Sequence, residues 1–210
     1  MLLEIIIGIL ALLIASFLLN FYKDPKRIIP KGDNIVSPAD GKIISIIDTS
    51  KRDLAISKGL LGKIRTTSKE IAKECHAISI FMSPIDAHIN RAPIDGTIKS
   101  LKHTKGKFFR AYDLEKSFEN EKNEIIIQNE NLKVKVIQIA GFLARRIICN
   151  AKVNQKVNKG QKIGMIVLGS QTTLIISKKI KLRIKINDRV KAGETIIAEL
   201  KNYNKLGNSK

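Results

Sequence analysis

Several residue types that would mark a particular kind of protein are scarce or absent in this sequence. Tryptophan is absent, and aromatic residues make up only 5% of the 210 positions. Helix-turn-helix, zinc-finger and aromatic-rich strand motifs are missing too, so we expect no nucleic-acid partner. The two cysteines, Cys75 and Cys149, imply no disulfide framework and fit a reducing compartment.

Histidine is also scarce, which argues against a metal site. The three histidines, His76, His88 and His103, and the two distant cysteines show no metal-ligand spacing, so we expect no metal. We expect His76 and His103 to be ordinary surface or core residues. His88 differs, because the segment from Phe81 to Pro93 is polar although it follows a buried-looking strand. His88 is therefore a candidate for chemistry.

Acidic residues are half as numerous as basic ones. The chain has 19 Asp and Glu against 38 Lys and Arg, which gives a net charge of +19. Such an excess favours an anionic partner, either nucleic acid or a membrane surface rich in acidic lipid. Because nucleic-acid motifs are missing, we predict an anionic membrane surface.

A long apolar run near the start of the sequence supports this prediction. Ile5–Phe21 is interrupted only by Gly8, Ser16 and Asn20, and it is of borderline length for a bilayer span. Basic residues follow the run, whereas a secretory signal carries its positive charge before the apolar segment. We predict a membrane anchor at residues 1–22 and a body at residues 23–210, on the cytoplasmic side of the cell membrane. An amphipathic or buried helix is the alternative, but the run lacks a polar face.

From Ile35 onward the sequence has the pattern of strands and turns. Strict alternation over Ile180–Ile186 predicts a strand with one buried face. Three further runs predict strands: Ile78–Met82, Ile125–Ile127 and Leu132–Val136. Helical pattern is limited to a turn or two at Ser68–Lys73 and Leu114–Phe118.

Two internal repeats strengthen the β prediction. Ser37–Ile43 and Ala92–Ile98 share the pattern Pro-x-Asp-Gly-x-Ile, which is a tight turn leading into a strand. Val157–Ile163 and Val190–Ile196 share Val-x-x-Gly-x-x-Ile, a strand-turn-strand pattern of biotinyl and lipoyl carrier domains. We therefore predict a mainly β fold, a flattened barrel or sandwich with lipoyl-like strand-turn repeats, plus one N-terminal membrane helix.

The segment Gly164–Ile176 is an apolar strand pattern that is interrupted by Gly169-Ser170. A glycine within a strand often marks a bulge or a close backbone approach, so a bulge or a hairpin is the ordinary explanation.

Three segments together carry a resemblance to a known family: Val36–Ile43, Phe81–Gly96 and Leu168–Ser170. In this order they resemble the short form of the phosphatidylserine decarboxylase family, whose members act on phosphatidylserine or archaetidylserine. Phe21–Pro25 is similar to an aromatic-basic-Asp-Pro segment of that family. The resemblance extends from about Phe21 to Leu200.

The resemblance implies a precursor that cuts itself. The Ser170 hydroxyl would attack the Gly169 carbonyl, and an N-to-O acyl shift followed by elimination would give a heterodimer of residues 1–169 and 170–210. Ser170 would become a pyruvoyl group at the start of the smaller chain. By resemblance, Asp40 and His88 would serve the proton transfers, with the carboxylate orienting the histidine.

The resemblance also implies a reaction on a serine phospholipid. The serine amine would form a Schiff base with the pyruvoyl group, which would accept the electrons left by CO2 without an external cofactor. His88 is the candidate acid that protonates the former α-carbon. Longer members have a second histidine at the position of Arg91, which cannot act as a base. Arg91 would bind the substrate's phosphate or carboxylate, or form a structural ion pair.

Two alternatives stay open at the level of sequence. A membrane-anchored, lipoyl-like adaptor without enzyme activity would also have strand-turn repeats, but Lys159 and Lys191 lack the setting of a carrier lysine. An inactive homologue is the second alternative, because Gln171 follows Ser170 where many members have arginine or another residue. Self-cleavage is required only of the active decarboxylase.

Overall fold

The computed structural model describes residues 1–49, 53–57, 63–68, 70–105, 121–141, 146–167 and 170–200. Within these ranges the chain has one helix, α1 (Leu2–Phe21), in which Phe21 is the one buried residue. By length and composition α1 is able to cross a membrane, in agreement with the predicted anchor. The boundary between anchor and body at residue 22, and the side of the membrane that holds the body, stay predictions.

The remaining regular structure in the described ranges consists of short strands, so the prediction of a mainly β protein is confirmed. The strands are β1 (Asn34–Val36), β2 (Gly41–Thr49), β3 (Asp53–Ser57), β4 (Lys63–Thr67), β5 (Cys75–Met82), β6 (Ile89–Arg91), β7 (Gly96–Thr104), β8 (Lys122–Gln128), β9 (Lys133–Ile139), β10 (Arg146–Cys149), β11 (Lys156–Val157), β12 (Lys162–Val167), β13 (Ser170–Ser177), β14 (Arg189–Val190) and β15 (Ile196–Glu199).

The largest sheet has eight antiparallel strands in the order β11-β7-β8-β9-β13-β5-β2-β14, and it curls into a half-barrel. Strands β10, β12 and β6 form a three-stranded sheet, β1 pairs with β15, and β3 pairs with β4. Strand β13 lies in the interior of the large sheet and pairs with both β5 and β9. The likeness to lipoyl carriers stays a prediction.

The main hydrophobic core lies between one face of the large sheet and two of the smaller sheets, β10-β12-β6 and β1-β15. Successive side chains of a strand point to opposite faces, and β5 shows this directly. Ile78, Ile80 and Met82 belong to the main core, whereas Cys75 and Ala77 belong to a smaller cluster on the other face. Alternate residues of β5 therefore contact two different apolar clusters, one on each face of the sheet.

The large sheet has a pseudo-twofold arrangement that follows the sequence repeats. Lys42 of β2 pairs with Arg189 of β14, and Thr97 of β7 pairs with Lys156 of β11 in the equivalent place. On the inner side, β2 pairs with β5 as β7 pairs with β8. The pseudo-twofold axis therefore passes between the two central strands, β9 and β13.

The aspartates of the two Pro-x-Asp-Gly segments make equivalent hydrogen bonds in the two halves of the fold. Asp40 Oδ1 accepts a 2.7 Å hydrogen bond from the backbone N–H of Ala192, and Asp95 Oδ1 accepts one of 2.8 Å from that of Lys159. Each carboxylate thereby fixes a turn of a Val-x-x-Gly repeat. The glycines of these turns have positive φ, which other residues rarely adopt: Gly160 and Gly193.

The strand predicted at Ile180–Ile186 is wrong. Ile180, Leu182 and Ile184 do face the main core, so the alternation is real. The segment makes only one isolated bridge, between Leu182 and Ala198, because β15 is four residues long and already pairs with β1 on its other side. Alternation here records burial without a ladder of hydrogen bonds.

The interruption at Gly169-Ser170 marks a change of sheet. Strand β12 belongs to the three-stranded sheet and β13 to the eight-stranded one, so the ordinary explanation as a bulge or hairpin is wrong. The strands predicted at Ile78–Met82 and Ile125–Ile127 are confirmed as parts of β5 and β8, and the one predicted at Leu132–Val136 is confirmed from Lys133 onward as part of β9. The turn at Ser68 is confirmed by the hydrogen bond from the Ile71 N–H to the Ser68 carbonyl. Gly169 and Leu114–Phe118 lie outside the described residues.

Candidate active site

His88 is buried and is held through one ring nitrogen. It follows the turn at Ser83–Asp86, and its Nδ1 lies 2.8 Å from the backbone carbonyl oxygen of Asp86. Because a carbonyl oxygen only accepts hydrogen bonds, Nδ1 carries the proton and donates it. The other ring nitrogen, Nε2, is buried and has no hydrogen-bond partner among the described residues. This nitrogen is available to accept a proton.

The surroundings of His88 keep its imidazole neutral. Burial, the largest influence, lowers the pKa of His88 below its ordinary value, and the positive charge of Lys23 acts in the same direction. The hydrogen bond to Asp86 and the negative charges of Asp86 and Asp40 oppose this effect without cancelling it. His88 is therefore in the form that a general base requires at neutral pH.

The anchor helix provides part of this apolar environment. The ring of Phe21, the last residue of α1, lies 4.2 Å from the imidazole of His88 between centroids, with the ring planes at 34°. Phe21 is only 2% exposed, although the rest of the helix projects from the body. His88 is therefore at the foot of the helix, at the depth where a bilayer crossed by α1 would end.

Replacing Phe21 by alanine is expected to raise the pKa of His88 towards its ordinary value, because water would reach the ring face that Phe21 now covers. The imidazole would then become protonated at a higher pH than in the native protein. NMR titration of His88 measures this shift directly. Phe17→Ala is the matched control, since its ring packs on Phe21, 5.9 Å away between centroids. Equal titration curves for both variants would exclude a role of Phe21 in setting this pKa.

Buried amide side chains connect the segment that contains His88 to the start of β13. Asn90 donates from Nδ2 to Thr172 Oγ1 at 3.0 Å, and it accepts a 2.9 Å bond from Gln138 Nε2. Asn123 Nδ2 in turn donates to Gln138 Oε1 at 2.8 Å. All four polar side chains are fully buried. Their hydrogen bonds fix β6, β13, β9 and β8 relative to one another.

Ser170, where the resemblance implies a cut, is the first residue of β13. It pairs with Met82 of β5, and by strand alternation position 170 is on the same face of the sheet as Thr172. On the other side of the Gly-Ser pair, the N–H of Ile166 donates to the His88 carbonyl at 3.2 Å. The stretches before and after Ser170 thus both contact the His88 segment. Gly169 and the Ser170 side chain lie outside the described part of the structure.

Asp40 is near His88 but does not orient its ring, contrary to the expectation from the resemblance. Its two carboxylate oxygens lie 2.9 and 2.7 Å from the Arg27 guanidinium, and Oδ1 also accepts the Ala192 N–H. The Asp86 carbonyl has the orienting position instead. Asp40 acts on His88 only through its charge, which favours the protonated imidazole.

Arg91 is occupied by groups of the protein itself. Its guanidinium donates to Asp24 Oδ1 at 2.5 Å and to the Gly160 carbonyl at 2.8 Å, and its side chain is 11% exposed. Asp24 also forms an ion pair with Lys162. Of the two predicted roles, these contacts favour the structural ion pair, which ties the segment after α1 to a glycine turn.

The other two histidines and Cys75 have ordinary local surroundings. His76 Nδ1 lies 2.6 Å from Asp48 Oδ1, and this hydrogen bond is the main reason that the pKa of Asp48 is lowered. His103 Nε2 lies 3.4 Å from Glu121 Oε1, and burial raises the pKa of the Cys75 thiol. In the described ranges, no three His, Cys, Asp or Glu side chains are grouped in a way that would hold a metal.

Sequence reasoning assigned no role to Phe21, Asn90 or Asp86. Asn90 had a detectable signal, because it is an amide two residues after His88 in an otherwise extended segment. The Asp86 contact uses a backbone carbonyl, which any residue could supply. Phe21 ends the apolar run and begins the segment that resembles the family's aromatic-basic-Asp-Pro segment, but neither pattern predicts a contact with His88.

Comparison with known proteins gives a consistent result. The family model described as phosphatidylserine decarboxylase matches residues 14–198. A protein of Methanocaldococcus jannaschii named "Putative archaetidylserine decarboxylase proenzyme" is 44% identical over 185 residues, which are 87% of this chain and 89% of that protein. The phosphatidylserine decarboxylase proenzyme of Chlorobium phaeobacteroides is 41% identical over 182 residues, 86% of this chain and 78% of that protein.

Proposed function

Because this chain belongs to the phosphatidylserine decarboxylase family, we propose that it decarboxylates a serine phospholipid after cutting itself between Gly169 and Ser170. It is a carboxy-lyase of this family, and its relatives are named proenzymes. The product would be the corresponding ethanolamine phospholipid. Phosphatidylserine and archaetidylserine present the same phosphoserine head, so one site can serve either lipid.

The observation that carries this proposal is the state of His88. A neutral imidazole with a free, buried Nε2 lies at the foot of a helix that is able to cross a membrane. The hydrogen bond from Asn90 to Thr172 ties its segment to the start of β13, where the pyruvoyl group would be formed. These residues fit a prosthetic group that is made from Ser170 and needs a proton acceptor beside it.

In the proposed cleavage, His88 Nε2 takes the proton of the Ser170 hydroxyl while the oxygen attacks the Gly169 carbonyl. The peptide C–N bond breaks, the amine receives a proton, and an ester links Gly169 to the Ser170 oxygen. Loss of the α-proton of residue 170 then expels the Gly169 carboxylate. Water replaces the amine of the resulting dehydroalanine, ammonia leaves, and residue 170 becomes a pyruvoyl group.

In the proposed decarboxylation, His88 moves one proton twice. When present, the pyruvoyl group supplies a ketone and an adjacent amide carbonyl that accept the electrons left by CO2. The substrate's ammonium must lose a proton before its nitrogen can react, and Nε2 is free to accept it. The same nitrogen then returns the proton to the former α-carbon. One histidine with a lowered pKa therefore suffices for both transfers.

The position of β13 supports a lasting complex of the two proposed chains, 1–169 and 170–210. Strand β13 pairs with β5 on one side and with β9 on the other, so the smaller chain would contribute an interior strand. Strand β15 of the same chain pairs with β1 of the larger one. Dissociation would break both sheets, and we propose that the cut chains stay together as a heterodimer.

A lipid substrate accounts for the anchor and for the charge of the protein. We propose that α1 spans the cell membrane and that the basic body lies against an anionic surface on the cytoplasmic side. The net charge of +19 favours such a surface. A head group at this surface would be close to His88, because Phe21 joins the end of α1 to the imidazole.

Asp40 and Asp95 both cap a glycine turn, but only Asp40 also pairs with Arg27 and lies near His88, so the two positions allow a test of the proposed electrostatic role of Asp40. Asparagine at either position can still accept the turn N–H, so Asp40→Asn and Asp95→Asn both leave the turns capped. Only Asp40→Asn removes a negative charge that favours protonated His88. We expect it to slow cleavage by about tenfold, which corresponds to ~1.4 kcal/mol, while Asp95→Asn has little effect. Gel analysis of freshly translated precursor measures the cleavage rates of both variants. Equal rates would exclude an electrostatic role of Asp40 in cleavage.

The function itself is tested by intact mass and by a lipid assay. The proposal requires two fragments that separate at Gly169-Ser170, with a pyruvoyl terminus on the smaller one, and release of CO2 from phosphatidylserine in vesicles. A correctly folded chain that stays uncut and inactive would support the inactive homologue or the adaptor instead.

A further inference from the structure

The phosphate of a serine phospholipid needs a cation that is not already neutralised by the protein. Arginine and lysine are the usual phosphate-binding side chains. Four cations near the candidate site lie against carboxylates of the chain. They are Arg27 with Asp40, Arg91 with Asp24, Lys162 with Asp24, and Arg189 with Asp86.

Lys23 differs from these four because its described partners are neutral oxygens. Its Nζ donates to Asn20 Oδ1 at 2.7 Å and to the Ile85 carbonyl at 3.3 Å. An ammonium group has three N–H donors, so one remains for a ligand. The side chain is exposed, and within the described residues it forms no ion pair with a carboxylate.

The two partners hold this ammonium between the end of α1 and the turn that precedes His88. Asn20 Nδ2 also donates to the Ile85 carbonyl, at 3.4 Å, so the three groups form a small clamp across the two segments. Phe21 lies between Asn20 and Lys23 in the chain and packs on His88. The charge of Lys23 is close enough to lower the pKa of His88.

We propose that Lys23 binds the phosphate of the serine phospholipid, and that Asn20 and the Ile85 carbonyl fix its ammonium for this purpose. This inference rests on the proposed function. The end of a membrane-spanning helix is at the depth of the lipid phosphates, so the anchor places the ligand and the cation at the same level. A phosphate bound there would leave the serine head beside His88, three residues after Ile85.

The first test compares the mature enzyme with Lys23→Gln on vesicles of phosphatidylserine in phosphatidylcholine. Loss of a charge-assisted hydrogen bond is expected to raise KM by about 10- to 100-fold with little change in kcat. Lys23→Arg keeps the charge and is expected to restore most of the affinity. Lys26→Gln is the matched control, because Lys26 is exposed in the same segment and its loss removes the same charge from the surface.

A second readout does not depend on turnover. Soluble glycerophosphoserine, which carries the phosphate without lipid tails, is titrated into the protein and followed through the NMR signals of His88. Binding that is lost in Lys23→Gln and kept in Lys26→Gln supports the proposal, even in a chain that fails to cut itself. Self-cleavage does not require bound lipid, so its rate is not a readout of phosphate binding, and an uncut native chain would count against the proposed function alone.

Three results would overturn the proposal. An unchanged KM and unchanged glycerophosphoserine binding in Lys23→Gln would show that another group binds the phosphate. An equal rise of KM in Lys26→Gln would show that both lysines act only through general attraction of the basic protein to the anionic membrane. A lower melting temperature with a reduced kcat and an unchanged KM would make Lys23 a structural partner of the helix end.

Discussion

Replacing Ser170 by alanine is expected to leave one uncut chain of 23.4 kDa and to abolish decarboxylation. Alanine has no hydroxyl to attack the Gly169 carbonyl, so no ester forms and no elimination can follow. Without a pyruvoyl group, the electrons left by CO2 have no acceptor among ordinary side chains. Intact mass before and after the substitution measures the first effect, and CO2 release from phosphatidylserine vesicles measures the second.

Ser177→Ala provides the matched control for this experiment. Ser177 ends the same strand, β13, and is also a serine in the interior of the sheet. We expect this variant to cut itself and to turn over normally. Fragments of native size in Ser170→Ala would place the cut elsewhere and would contradict the proposed mechanism at its first step.

Replacing His88 by glutamine is expected to slow self-cleavage, and decarboxylation in any mature fraction, by about 10² to 10⁴-fold. Glutamine fills a similar volume but cannot take a proton from Ser170 or from the substrate's ammonium. The native enzyme should also lose activity as the pH falls through the pKa of His88, because the neutral form is required. Since burial lowers that pKa, this loss begins at a lower pH than an ordinary histidine would give. His88→Gln should abolish this pH limb.

His76→Gln is the control for the histidine substitution. His76 is bonded to Asp48 and lies among groups that the proposed mechanism does not use. Thermal unfolding of each variant separates a folding defect from a chemical one. A folded His88→Gln variant that cuts itself at the native rate would assign the proton transfer to another group.

Much of the fold is encoded in patterns that are local in the sequence. The apolar run predicts α1, and short apolar runs predict β5, β8 and β9, because strand periodicity and burial act on neighbouring residues. Ile180–Ile186 shows the limit of this reasoning. Alternation reports which side chains are buried, but a strand also requires a partner edge, and that depends on residues far away in the chain.

The candidate site was predictable as a set of residues and not as a set of contacts. His88 and Ser170 stand out through motifs, and the structure brings their segments together. The ion-pair partners of Asp40 and Arg91 could not be predicted. These partners, Arg27 and Asp24, belong to the segment after α1, which comes close to the turns at Gly193 and Gly160 only in the folded chain. Long-range ion pairs leave no periodic signal in a sequence.

Because of the pseudo-twofold arrangement, a position of one half can be compared with an equivalent position in the other half that carries a different side chain. In the two halves, the carbonyls of His88 and Asp33 accept equivalent backbone hydrogen bonds. Gln171, which pairs with Phe81 of β5, corresponds to Lys133, which pairs with Gln128 of β8, so position 170 corresponds to Leu132. The same backbone is thus built with aspartate and leucine at the twin positions. The architecture therefore requires neither the imidazole nor the hydroxyl, which agrees with the chemical roles proposed for His88 and Ser170.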